Sequence, residues 1–109
     1  MRPSLVLVIS LFALLACGPT IGDPCTSPTD CGGAVCLNRD FTPGGSCSLA
    51  CELGVANTCP TGSTCVKHAL GNGAPGCMRL CLNQSQCRNG YLCKSANDSV
   101  PVCVGPQGI

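Results

Sequence analysis

The fold of this chain is set by a cysteine pattern that begins with residues 25–47, CTSPTDCGGAVCLNRDFTPGGSC. Four cysteines recur in residues 51–77, CELGVANTCPTGSTCVKHALGNGAPGC, and in residues 81–103, CLNQSQCRNGYLCKSANDSVPVC. The first and second cysteines are separated by 5, 7 and 5 intervening residues, the second and third by 4, 5 and 5, and the third and fourth by 10, 11 and 9. Three residues separate each set from the next. Recurrence at this spacing indicates three repeats of one small unit.

Turn-forming residues keep the same register as the cysteines. Gly62 and Gly90 each follow the second cysteine of their set by three residues, and glycine favours tight turns because it tolerates positive φ. A polar residue precedes every second cysteine: Asp30, Thr58 and Gln86. No segment after the N-terminal apolar run shows the 3.6-residue apolar period of a secure helix. We therefore expect short two-stranded β-hairpins, long loops and little helix.

Disulfides are expected to replace a large hydrophobic core. The chain has 109 residues, with 13 Cys, 14 Gly and 9 Pro but 2 Phe, 1 Tyr and no Trp. Ordering a residue costs about 1–2 kcal/mol of backbone entropy, and the few large apolar side chains after residue 16 cannot offset this cost. A disulfide closing a loop of this length contributes about 3 kcal/mol. The candidate disulfide cysteines are Cys25, Cys31, Cys36, Cys47, Cys51, Cys59, Cys65, Cys77, Cys81, Cys87, Cys93 and Cys103.

Charge and aromatic content exclude some partners. Six basic and five acidic side chains give a net charge of +1. Nucleic-acid surfaces are strongly basic and carry stacking aromatics, so no nucleic-acid partner is expected.

The N-terminus has the features of an export signal. Arg2 is followed by an apolar run from Leu5 to Ala16 that is interrupted only by Ser10. This run is shorter than the roughly 20 residues that a transmembrane helix needs. A basic start and a short apolar centre are typical of a signal peptide, here residues 1–16.

The sequence Leu14-Leu15-Ala16-Cys17 resembles the bacterial lipoprotein signal. That resemblance implies cleavage before Cys17, a diacylglyceryl group on its thiol and an acyl chain on its amine, so the chain would be held at a membrane by several acyl chains. The residue after the cysteine is Gly18 rather than Asp, which in such lipoproteins favours the outer membrane. The alternative is an ordinary signal peptide with a cysteine near its cleavage site.

Cysteine parity favours the lipoprotein interpretation. Thirteen cysteines cannot all pair, whereas the twelve that remain without Cys17 can. The expected organisation is a signal peptide (1–16), a lipidated cysteine with a flexible tether (17–24), a domain of three repeats (25–103) and a tail (104–109).

The spacing Cys-x5-Cys-x4/5-Cys-x9/11-Cys is similar to small extracellular cysteine-rich modules, namely EGF-like units and the Dickkopf-type N-terminal domain. EGF-like units carry six cysteines with a one-residue gap that is absent here. Four cysteines allow three pairings. The resemblance implies first-to-third and second-to-fourth bonds.

Motifs for catalysis and metal binding are missing. There is no Cys-x2-Cys pair, which zinc sites and dithiol oxidoreductases commonly use, and His68 is the only histidine. His68 lies in a glycine-flanked stretch without a nucleophile motif, and the acidic residues are scattered. We therefore expect no enzyme activity, metal or cofactor.

Three functions remain open. The favoured one is a lipid-anchored binding or structural module of the bacterial cell envelope, with a protein or glycan as its partner. The second is a protease inhibitor that presents Arg79 or Arg88 on a stapled loop. The third, an enzyme using His68, is the least favoured.

Overall fold

A computed structural model describes residues 20–71, 73–95 and 100–108. The signal peptide (1–16), Cys17 and the first part of the tether, as predicted from the sequence, lie outside the described residues. None of the described helices has the length and apolar character needed to cross a membrane.

Each repeat forms one antiparallel β-hairpin. The strands are β1 (Val35–Leu37) and β2 (Ser46–Ser48), β3 (Ser63–Gly71) and β4 (Ala74–Arg79), and β5 (Leu92–Ser95) and β6 (Pro101–Val104). Helical structure in the described ranges consists of two 3-10 turns, Pro28–Cys31 and Gln84–Gln86. The predicted small disulfide-rich fold of hairpins and loops with little helix is confirmed.

The cysteines occupy equivalent places in the three hairpins. The third and fourth cysteines of each set are cross-strand neighbours, in the pairs Cys36 and Cys47, Cys65 and Cys77, and Cys93 and Cys103. Because the register at these pairs is identical, the repeats seen in the sequence are structural repeats as well.

The residues that precede each first cysteine pair with the second strand of the hairpin through backbone hydrogen bonds and isolated β-bridges. The backbone N–H of Cys77 donates to the carbonyl oxygen of Leu49 at 2.9 Å, and Cys47 donates in the same way to Asp23 at 2.9 Å. Antiparallel bridges of the same kind join Ala50 to Gly76 and Leu80 to Val102. The three-residue links between repeats are therefore held against the hairpins by backbone pairing.

The described parts of the predicted tether and tail pack against repeat 1. Gly22 donates its backbone N–H to the carbonyl oxygen of Cys47 at 2.9 Å, so the end of the tether is held in place. Val104 is buried, and Gly105 donates to the carbonyl oxygen of Phe41 at 2.7 Å. Backbone hydrogen bonds hold both segments against repeat 1, and the composition of a segment does not predict such bonds.

One apolar cluster lies where the three repeats meet. Each repeat contributes buried side chains to it: Leu37 and Phe41 from repeat 1, Val66, Ala69 and Met78 from repeat 2, and Val102 and Val104 from repeat 3. The disulfides are therefore not the only source of stability, because a small shared core joins the three repeats.

Candidate functional site

Six disulfides join the first cysteine of every set to the third and the second to the fourth. This is the pairing that the resemblance to small extracellular modules implied. The bonds are Cys25–Cys36, Cys31–Cys47, Cys51–Cys65, Cys59–Cys77, Cys81–Cys93 and Cys87–Cys103. Such extensive disulfide bonding indicates an extracellular or otherwise oxidising environment.

The polar residue before each second cysteine has the same structural role in the three repeats. Its side chain accepts a hydrogen bond from the backbone N–H of the residue after the first cysteine: Thr26 to Asp30 at 2.9 Å, Glu52 to Thr58 at 3.3 Å, and Leu82 to Gln86. These bonds close the first loop of each repeat. In repeat 1, the backbone N–H of Thr26 lowers the pKa of the Asp30 carboxyl group because it stabilises the charged form.

Sulfur atoms cluster within each repeat because its two disulfides lie against each other. Three sulfurs lie within 4.8 Å of one another in the groups Cys25, Cys31 and Cys47; Cys51, Cys59 and Cys65; and Cys81, Cys87 and Cys103. Zinc binds deprotonated cysteine thiolates. Sulfurs that are bonded to other sulfurs do not supply this ligand, so the clusters are explained by disulfide packing.

Arg88 joins repeat 3 to repeat 1. Its guanidinium group donates to the carbonyl oxygens of Gly22 at 3.2 Å, Pro43 at 2.7 Å and Gly45. It also lies 4.4 Å from the ring centroid of Tyr91, whose hydroxyl donates to the carbonyl oxygen of Pro43 at 2.9 Å. Burial raises the pKa of the Tyr91 hydroxyl, and the nearby charge of Arg88 partly opposes this.

The sequence does not predict this contact between repeats; from the sequence, Arg88 is a candidate residue for binding a protease. An arginine three residues before the only tyrosine is a weak signal, because nothing in the pattern identifies the distant carbonyl groups. In the structure the guanidinium group of Arg88 donates its hydrogen bonds to carbonyl groups of the same chain.

Arg79 lies at the end of β4, opposite Ser63 of β3. It is an exposed strand residue rather than the tip of a projecting loop. The protease-inhibitor hypothesis stays a prediction, and no contact of Arg79 or Arg88 with the described residues favours it.

His68 lies on β3, where the register with β4 shifts between Val66 and Gly71. It has a positive φ of 66° and an exposed side chain. Among the described residues, its imidazole makes no hydrogen bond or ion pair. The structure therefore brings no described nucleophile or carboxylate into contact with the only histidine.

A groove of about 390 Å³ lies between repeats 1 and 2. Its apolar lining comes from Ile21, Ala34, Leu49 and Pro60, and Arg79 also lines it. A second depression, of about 400 Å³, lies beside the loop from Glu52 to Thr58 of repeat 2. Large apolar side chains are exposed on that loop (Leu53 and Val55) and on repeat 3 (Leu82).

Comparisons with protein-family models, with curated proteins and with solved structures find no match for this chain. What the structure establishes is the class: a small, cysteine-rich, disulfide-bonded domain built from three β-hairpins.

Proposed function

We propose that the chain is a lipid-anchored binding module of a bacterial cell envelope. Cys17 carries the lipid, the outer membrane is the expected location, and the three-repeat domain binds an envelope or extracellular protein or glycan. The domain acts by binding rather than by catalysis.

Cysteine pairing is the observation that carries this proposal. The six disulfides use twelve of the thirteen cysteines, from Cys25 to Cys103, so no cysteine of the chain is left to pair with Cys17. An unpaired cysteine in an exported protein requires an explanation. The sequence Leu14-Leu15-Ala16-Cys17 supplies one, because it resembles the site at which bacterial lipoproteins are cleaved and acylated.

The disulfide-constrained loops on the surface support a binding role. Loops fixed by disulfides lose little conformational entropy when they bind, so less interaction energy is spent on ordering them. The similarity of the cysteine spacing to small extracellular modules points in the same direction. Exposed apolar side chains at Leu53, Val55 and Leu82 offer contact area to a partner.

Intact mass measurement of the detergent-extracted protein tests the proposal. We expect cleavage before Cys17, an added lipid mass on that residue, and twelve alkylation sites that appear only after reduction. Cys17→Ser is the control: it should remove the lipid and leave the twelve reducible sites unchanged. An unmodified N-terminal Cys17, or Cys17 joined by a disulfide to another chain, would contradict lipid anchoring.

A further inference from the structure

We propose that the groove between repeats 1 and 2 rests on the membrane, where Arg79 binds the phosphate of anionic phospholipid headgroups. This inference deepens the proposed function and rests on lipidation at Cys17. It assigns to the anchored domain a fixed orientation rather than free rotation above the bilayer.

Chain length places the groove next to the anchor. Thr20 and Ile21 both line the groove, and Cys17 precedes Thr20 by three residues. Three residues span at most about 11 Å when fully extended. A lipid on Cys17 therefore brings this end of the groove to within about 11 Å of the bilayer surface.

The start of the described chain is held in position, so this short distance restricts the whole domain. The backbone N–H of Thr20 donates to the Asp23 carboxylate at 2.8 Å. Gly22 also donates its backbone N–H to the carbonyl oxygen of Cys47, the central residue of β2, at 2.9 Å. Because Cys47 is also in a disulfide, movement of residues 20–22 away from the groove would require the hydrogen bond between Gly22 and Cys47 to break.

The groove has the chemistry of a membrane-contact surface. The side chains of Ile21, Leu49 and Pro60 supply apolar area, and Arg79 supplies a positive charge beside it. Among the described residues, the guanidinium group of Arg79 makes no hydrogen bond or ion pair. A planar guanidinium binds phosphate oxygens with two parallel hydrogen bonds, and anionic lipid surfaces attract nearby basic side chains.

The stem of Arg79 packs against the chain at Gly22, close in sequence to the anchor. A methyl group added at Gly22 would lie 3.1 Å from Cβ and 3.3 Å from Cδ of Arg79, so the stem packs along the chain at Gly22. Gly22 is five residues from Cys17. The stem of Arg79 therefore contacts a residue that lies only five positions from the site of the lipid.

A single tryptophan reports on this orientation, because the chain contains no Trp. Thr61→Trp places the reporter on the exposed rim of the groove, and Ala74→Trp places it at the far end of β4. Ala74 is five residues from Arg79 along the strand, which is about 17 Å. Both variants of the full lipidated protein are reconstituted into phosphatidylglycerol–phosphatidylcholine vesicles that contain brominated lipid.

We expect brominated lipid to quench the Thr61→Trp emission several-fold more strongly than the Ala74→Trp emission. Equal quenching at the two positions would overturn the proposal. The proposal is also overturned if Thr61→Trp is shielded from aqueous iodide but not quenched by brominated lipid. In that case another occupant, such as a second copy of the chain, fills the groove.

Arg79→Gln tests the phosphate contact. Lys94→Gln is the matched control, because it removes the same charge from an exposed position on repeat 3. In the Thr61→Trp background, Arg79→Gln should reduce the ratio of docked to undocked domain about fivefold in vesicles with phosphatidylglycerol. It should have no effect in pure phosphatidylcholine, and Lys94→Gln should have little effect in either. A fall of the same size in both lipids, or with both variants, would contradict headgroup binding by Arg79.

Measuring the intact mass of the same samples distinguishes failure of lipid anchoring from failure of the proposed orientation. Absence of lipid on Cys17 refutes the anchored module itself. Lipid on Cys17 without preferential quenching at Thr61→Trp refutes the orientation alone.

Discussion

Arg88 shows how a single charged residue holds distant parts of this chain together. The carbonyl groups of Gly22, Pro43 and Gly45 that accept from its guanidinium lie 66, 45 and 43 residues away in the sequence. One planar group with five donors is suited to several acceptors at once, which a lysine ammonium does not match in geometry. Its removal would take a charged donor away from the partly buried bonds to the carbonyl oxygens of Gly22 and Gly45.

Arg88→Gln is therefore expected to lower the free energy of unfolding by about 2–3 kcal/mol, since hydrogen bonds to a charged donor are lost. Guanidinium chloride unfolding of the oxidised protein, followed by circular dichroism, measures this change. Lys94→Gln removes the same charge from an exposed position of β5 and should change stability by less than about 0.5 kcal/mol. Equal effects of the two variants would show that Arg88 contributes only net charge.

Glycines with positive φ in the repeats differ in the space around them. Gly45 lies between β1 and β2 with a φ of 79°. A methyl group at this position would overlap the carbonyl oxygen of Cys25. Gly62, before β3, has a φ of 89° but open space around the same site. The two glycines thus share a backbone requirement and differ in packing.

Gly62→Ala should cost about 1–2 kcal/mol, because an L-residue is strained in the left-handed region. Gly45→Ala should cost more than about 3 kcal/mol, because the overlap with the Cys25 backbone adds to the same strain. The measurements are the free energy of unfolding and the yield of protein with all native disulfides after oxidative refolding. Similar losses in both variants would mean that φ alone explains the need for Gly45.

The shared core determines how the whole molecule unfolds. Val102 is fully buried (0% exposed) among side chains from the other two repeats, including Phe41 and Met78. Val100, two residues earlier on the same segment, is 51% exposed. Because the three repeats bury their apolar side chains against one another, we expect them to unfold in one cooperative transition despite their separate disulfides.

Val102→Ala should destabilise the protein by about 2 kcal/mol through lost burial and the cavity that remains. The loss should appear as reduced amide-exchange protection in β1, β3 and β5 alike. Val100→Ala, the exposed control, should change stability by less than about 0.5 kcal/mol. Loss of protection confined to β5 and β6 would contradict a cooperative core and indicate that the repeats unfold independently.

The sequence by itself determined the repeat unit, its boundaries and its hairpin architecture. These features depend on cysteines, glycines and turn residues that lie close together, so their spacing carries the information. The polar residues Asp30, Thr58 and Gln86 were also evident from the sequence, although their hydrogen bonds to the first loop were not.

Tertiary structure alone decided how the three units are joined. The shared core, the contacts of Arg88, and the placement of Thr20 and Ile21 beside Arg79 all bring together residues far apart in the chain. Local spacing fixes the shape of each stapled repeat, because its disulfides close loops of 11 to 18 residues. Which surfaces then meet depends on complementary packing between folded units, and no local pattern in the sequence encodes that.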